Sequence, residues 1–192
     1  MNTTSTRRRI VAGVGAAAVL VATIAGPALA ADTVTLAITG SGLTASIDDV
    51  TLTSTAYQNV AHSVTGTMTL TADDNTGLAA GWNVTLQSSA FVWVGTANGG
   101  IDIPASRFSL TSAAVPTLIA GQVVGVAAAT GPQVPPTSPL GTLDTPRKTL
   151  SATAAYGSGT YSQALGVTLT IPAMSRVGTY TGTITTTITS AP

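Results

Sequence analysis

Every odd-numbered residue from Thr179 to Thr189 is threonine, and between them stand Tyr180, Gly182, Ile184, Thr186 and Ile188. Polarity that alternates with a period of two belongs on a pleated strand, where successive side chains point to opposite faces. One face then carries Tyr180, Ile184 and Ile188, and the other a row of hydroxyls. A slip of one residue would bury the threonine row and expose both isoleucines, so the register is strongly fixed. About eleven residues, roughly 36 Å at strand rise, suit a strand at the centre of a sheet.

The same period recurs along the chain. Met68 and Leu70 alternate with Thr65, Thr67, Thr69 and Thr71, and Trp82, Val84 and Leu86 with Asn83, Thr85 and Gln87. Val34, Leu36 and Ile38 alternate with Thr33, Thr35 and Thr39 before Gly40. Further strands are expected near residues 50–53, 91–94, 108–110 and 161–171, with an edge strand or packed segment in 118–126. Asp73-Asp74-Asn75-Thr76-Gly77 is a turn sequence at a surface corner. No stretch after residue 30 holds apolar spacing of 3.6, so about eight to ten strands without crossover helices predict an all-β fold, an antiparallel β-sandwich in a single domain. Residues 112–145 are the least regular part. The segment Gly131-Pro132-Gln133-Val134-Pro135-Pro136-Thr137-Ser138-Pro139 has too much proline for a ladder and is expected as an extended surface excursion.

Residues 1–30 stand apart from this pattern. Arg7, Arg8 and Arg9 precede an apolar, charge-free stretch over 10–25, followed by Gly26-Pro27 and Ala28-Leu29-Ala30. Basic region, apolar region and small-residue box in that order read as a signal peptide cleaved after Ala30. The apolar run falls short of the roughly 20 residues of a spanning helix. Arg7-Arg8 fits both the general secretory and the twin-arginine export routes.

Removing 30 residues from 192 leaves 162, enough for one core. Four of the seven basic residues remain against seven Asp and no Glu, a net charge of −3. A chain so poor in basic groups is not expected to bind nucleic acid or an acidic membrane. It has no cysteine, which removes disulfides, a lipid-modified Cys and Cys nucleophiles together. No Leu-Pro-x-Thr-Gly sorting signal occurs and no apolar segment follows the last strand, so neither covalent wall anchoring nor a C-terminal membrane span is expected.

Catalysis needs titratable groups, and these are few. His62 is the one histidine, and no Gly-x-Ser-x-Gly elbow accompanies it, so no catalytic residue is assigned and no cofactor is expected. Asp73, Asp74 and Asn75 could lend oxygens to calcium, as could Asp48-Asp49, but neither group has the spacing of a recognised calcium loop, and Asx residues make turns without any ion. Lys148 beside Arg147 reads as a solvated charge. Trp82, Trp93, Tyr57 and Tyr156 are the candidate ligand-binding or wall-binding residues, because an aromatic face stacks on the apolar face of a sugar ring. Alternation also puts Trp82 and Tyr180 on core faces, which leaves Trp93, Tyr57 and Tyr156 as the exposed members.

Two passages resemble the WxL domain family of Gram-positive cell-surface proteins. One is the run from Thr71 through Asp73-Asp74-Asn75 to Gly81-Trp82-Asn83-Val84-Thr85-Leu86, with Phe91 after it. The other is the C-terminal run with Ile171-Pro172-Ala173, Gly178-Thr179-Tyr180 and Ile184 to Pro192. Val84 stands where that family usually has Leu, and Thr186 where its second Trp belongs. The resemblance implies secretion, a β-sandwich over residues 31–192 and non-covalent association with peptidoglycan. The expected function is therefore a structural or adhesive protein of the cell surface. The alternative is a self-assembling subunit of an extracellular filament or layer, in which the strand freed by cleavage adds to a neighbour's sheet edge.

Overall fold

The computed structural model describes residues 35–50, 52–122, 131–135 and 140–190. The expected signal peptide, its cleavage point and Val34 lie outside the described residues. The chain divides between Ala37 and Ile38, and the described strands all belong to the second part.

These are β1 (Leu43–Ile47), β2 (His62–Asp74), β3 (Trp82–Ser88), β4 (Val92–Val94), β5 (Phe108–Ala113), β6 (Thr117–Gly121), β7 (Gly141–Thr142), β8 (Arg147–Ala152), β9 (Gly159–Ile171), β10 (Thr179–Thr181) and β11 (Ile184–Ser190). Every pairing among them is antiparallel. The described residues hold no α-helix, only a 3-10 turn at Ala105–Arg107, and no helix among them is long and apolar enough to cross a membrane. The all-β class read from the period-two pattern is what the chain adopts. Six strands make one sheet in the order β1-β2-β9-β5-β7, with β6 pairing β9 beyond the end of β5. Three make a second, β11-β3-β8, and β10 with β4 forms a two-stranded ribbon.

Strand β9 is the spine of the large sheet. It pairs with β2 over the whole length of both, from His62 opposite Ile171 to Asp74 opposite Gly159. Its inward side chains Tyr161, Gln163, Leu165, Val167 and Leu169 are all buried, as are Met68, Leu70 and Ala72 on β2, while Thr65, Thr67 and Thr69 face solvent. Trp82, Val84 and Leu86 of β3 and Leu150 and Ala152 of β8 join the same hydrophobic cluster, so one core draws on both sheets. At roughly 1.5–3 kcal/mol for each large apolar side chain, this burial is the dominant stabilising term in a chain without disulfides.

The Trp82 indole lies against the Tyr161 ring, centroids 6.2 Å apart, and its N–H donates to the Gly157 carbonyl at 3.0 Å. Gly157 has φ of 86°, and a Cβ there would stand 2.8 Å from the indole nitrogen. Two groups also tie the sheets directly. The Leu143 N–H donates to Phe108 O, and its carbonyl accepts from the Ser88 N–H. Gln163 Nε2 donates to Thr149 O at 3.1 Å and to Ala114 O at 3.0 Å. A bulge makes the second tie possible: Val84 faces Leu150 and Thr85 faces Lys148, leaving Thr149 outside the ladder with its carbonyl free.

Several expectations need correction. No strand forms over residues 35–40 or 52–53; the first strand among the described residues is β1, which begins nine residues after Val34, where Leu43, Ala45 and Ile47 find partners on β2. The run 179–189 is not one central strand. It breaks at Gly182-Thr183, where the Thr183 N–H bonds to Ser89 Oγ and the Thr183 carbonyl accepts the Ser89 N–H. Before the break it pairs with β4, and after it β11 is an edge strand beside β3. Its alternation is nonetheless as read, with Ile184, Thr186 and Ile188 half-buried and Thr185, Thr187 and Thr189 exposed. The proline segment is no surface excursion where it is described. Gly131, Pro132 and Pro135 are buried, and Gln133, which keeps the N–H that its neighbour Pro132 lacks, bonds both ways with Ser151 at the edge of β8.

Gly157→Ala is expected to lower the unfolding free energy in urea by about 1–3 kcal/mol, the usual cost of overpacking a closed core, and to disturb the near-ultraviolet signal of Trp82. Burial first, and then the Asp74 carboxylate, push the Tyr161 phenol above its ordinary value of 10.0. The unfolded chain then releases that proton before the folded one. The contribution is complete below about pH 10 and is lost as pH rises through the folded value. Unfolding free energies measured from pH 8 to pH 11 should fall only above about 10, and Tyr161→Phe should flatten that fall.

Candidate functional site

Beyond Leu169 the inward faces of β2 and β9 run past the closed core. Val64 and Ile171 are half-buried there and floor an open cleft. Phe91 and Ile103 close the floor from the other side, held by reciprocal backbone bonds of 2.8 and 3.0 Å. The edge of Phe91 packs on Phe108 with centroids 5.2 Å apart. The walls are two irregular segments, 52–61 and 172–178, joined by the Met174 N–H donating to Gln58 O at 3.1 Å. They enclose about 730 Å³, within the range of small-ligand sites.

The rim is polar and nearly uncharged. Tyr57, 49% exposed, stands on one wall with Ser54 and Thr55, and Tyr180, Thr179 and Arg176 stand on the other. The Tyr180 hydroxyl donates to Arg176 O at 2.9 Å, fixing the turn that carries this wall. His62 sits at the mouth with Nδ1 3.3 Å from Val60 O and Nε2 3.3 Å from Thr55 Oγ1. One tautomer satisfies both contacts, so the imidazole orients the 52–61 segment.

The four aromatic candidates do not form one strip. Trp82 is fully buried and cannot touch an external ligand. Tyr156 is half-buried in the 153–158 connection to Gly159, at the opposite end of β9 from the cleft, a separation of about 40 Å at strand rise. Tyr57 lines the cleft. Trp93 is half-buried just behind the wall, its backbone N–H bonded to Asp102 Oδ1 at 2.8 Å. Its indole packs against backbone: a Cβ on Gly178 would stand 2.4 Å from Nε1, and one on Gly100 2.2 Å from the ring. The indole N–H is enclosed without an acceptor among the described residues. Tyr180 faces the cleft, where the sequence placed it in a core, and Phe91 and Ile171 were not singled out. Half-burial at the end of a strand has no signature in the period-two pattern.

Asp73 and Asp74 are neighbours on a strand and point to opposite faces. Asp73 accepts from Asn75 Nδ2 and Thr160 Oγ1, each at 2.6 Å. Asp74 is buried and accepts from the N–H and the hydroxyl of Thr76 at 3.1 and 2.6 Å. Both carboxylates are engaged in building the turn, and they do not converge on one ion. Among the described residues no group of three or more His, Asp or Glu is placed to hold a metal.

Comparison with protein-family models, with curated proteins and with solved structures gives no match.

Melting of the purified protein is expected to be the same in millimolar calcium and in chelator, whereas Asp74→Ala should lower the melting temperature. It removes both acceptor bonds of the turn and strands the Thr76 hydroxyl, a loss of about 1–3 kcal/mol in urea unfolding.

Proposed function

We propose that this chain is a secreted, non-enzymatic protein of the bacterial cell surface that docks non-covalently on a wall polymer, with peptidoglycan glycan strands as its ligand. The observation that carries the reading is the cleft: an apolar floor, a hydroxyl and amide rim, an exposed Tyr57 and almost no charge. Such a surface suits an uncharged carbohydrate, whose ring faces are apolar and whose edges donate and accept hydrogen bonds.

Three features of the sequence support it. The leader reads as an export signal, the passages around Trp82 and the C-terminus resemble WxL domains, and the titratable groups are too few to suggest hydrolysis. The cleft's one imidazole is engaged in positioning a loop. Structural or adhesive binding needs no more than the surface described.

The test is a pull-down with purified sacculi. Enrichment over a heat-denatured sample is expected, and Tyr57→Ala should weaken it about tenfold or less, since stacking of one exposed ring is worth roughly 1 kcal/mol, while leaving the melting temperature unchanged. Soluble wall fragments should also shift the fluorescence of Trp93, which sits behind the cleft wall, and that response should vanish in Trp93→Phe. Equal recovery of native and denatured protein would overturn the reading.

A further inference from the structure

Edge strands of natural sheets are commonly guarded by lysine, proline, a bulge or a covering element. β11 has none of the first three. Its sequence, Ile184-Thr-Thr-Thr-Ile-Thr-Ser190, carries no charge and no proline, and its seven pairs with β3 are in unbroken register. On its other side runs β1, with Cα atoms within 8 Å, yet no ladder joins the two. Toward Ile184 this unzipped seam widens into a slot of about 570 Å³ between residues 46–50 and 181–186, floored by Phe91 and Phe108.

The same chain displays a strand-patterned segment that joins no sheet. Residues 35–40 have no regular structure, and Leu36 and Ile38 are 81% and 90% exposed. Their period-two pattern is that of a half-buried strand, and β-branched and aliphatic residues alternating with Thr and Ala have no reason to stay in water. We infer that residues 35–40 of a second copy enter the slot and pair with the open edge of β11, placing Leu36 and Ile38 over Phe91 and Phe108.

Geometry favours a second copy over the chain's own segment. The donor leaves from the turn after β2, where the Ser41 N–H donates to Asn75 O and Asn75 N–H to Gly42 O, each at 2.9 Å. That is the Leu43 end of β1, and the slot opens at the Ile47 end, about 13 Å away at strand rise, so the chain's own segment would have to double back along β1 to fill it. A donor at one end and an acceptor at the other make a heterologous contact, which propagates head to tail instead of closing as a symmetric dimer. The slot's β1-side wall carries Asp48 and Asp49, but residues 35–40 and β11 bear no charge, so the addition brings no like charges together, and main-chain pairing supplies the affinity, as in other strand additions.

The chain has no cysteine, so engineered thiols report the contact cleanly. The protein is expressed with its leader and recovered after processing, and the experiment is run without cell-wall material, so that it stands independently of wall docking. Thr39→Cys and Thr185→Cys preparations, mixed and treated with a short thiol cross-linker, should give a species of twice the chain mass that neither gives alone. The doubly substituted chain should give a ladder of multiples. Deleting residues 32–39, or changing Leu36 and Ile38 together to Asp, should abolish ladder and polymers in electron micrographs with melting unchanged. Cross-links confined within one chain, no cross-links from folded protein, or polymers that survive the deletion would each overturn the inference.

Discussion

The structure depends on one strand having two committed edges and one dry face. β9 is thirteen residues long, hydrogen-bonded to β2 along one side and to β5 and β6 along the other. Its inward side chains fill the core that β3 and β8 close. Burying that face satisfies the hydrophobic term, and pairing both edges satisfies the backbone groups that burial would otherwise leave unpaired. Everything peripheral is hung from it. β1 reaches the sheet through β2, β7 through β5, and the second sheet is joined by the Gln163 and Leu143 contacts as well as by packing.

The two ends of β9 have different fates for the same reason. At the Gly159 end Tyr161, Trp82 and Gly157 pack so closely that a Cβ on Gly157 has no room, and the end is sealed. At the Ile171 end the apolar face continues but the second sheet does not, because residue 182 begins the break that separates the β4–β10 ribbon from β11. The leftover apolar surface becomes a cleft floor, and the loops that cross it supply hydroxyls. The cleft is what remains where β3 and β8 no longer cover the apolar face of β2 and β9. The seam between β1 and β11 is a second such remainder, formed by two edges that run side by side without bonding.

Fold class was legible because a polar and apolar alternation over many residues admits hardly any solution but pleated strands. The faces of the strands that hold Trp82 and Met68 could be read position by position. Pairing partners could not. Thr-rich segments look alike, so nothing in residues 35–38 announced that they would stay single while the less regular run at Leu43 would pair. Ser89, whose hydroxyl and N–H hold Thr183 where the last strand breaks, acts from some ninety residues away. The aromatic candidates were readable as residue types, but whether Tyr57 and Tyr156 share a surface depends on which ends of β9 their loops serve.

Local pattern alone settled the all-β class, which side of the clearly alternating strands would be dry, and that stability would rest on packing, because side-chain alternation and the lack of cysteine are local facts. Long-range pairing made β9 central and β11 an edge, broke the last threonine run, and brought Tyr57, Phe91, Ile171 and Tyr180 around one cleft. Those outcomes depend on which distant backbone groups complete each ladder, and hydrogen bonding between identical main chains carries no residue-specific mark.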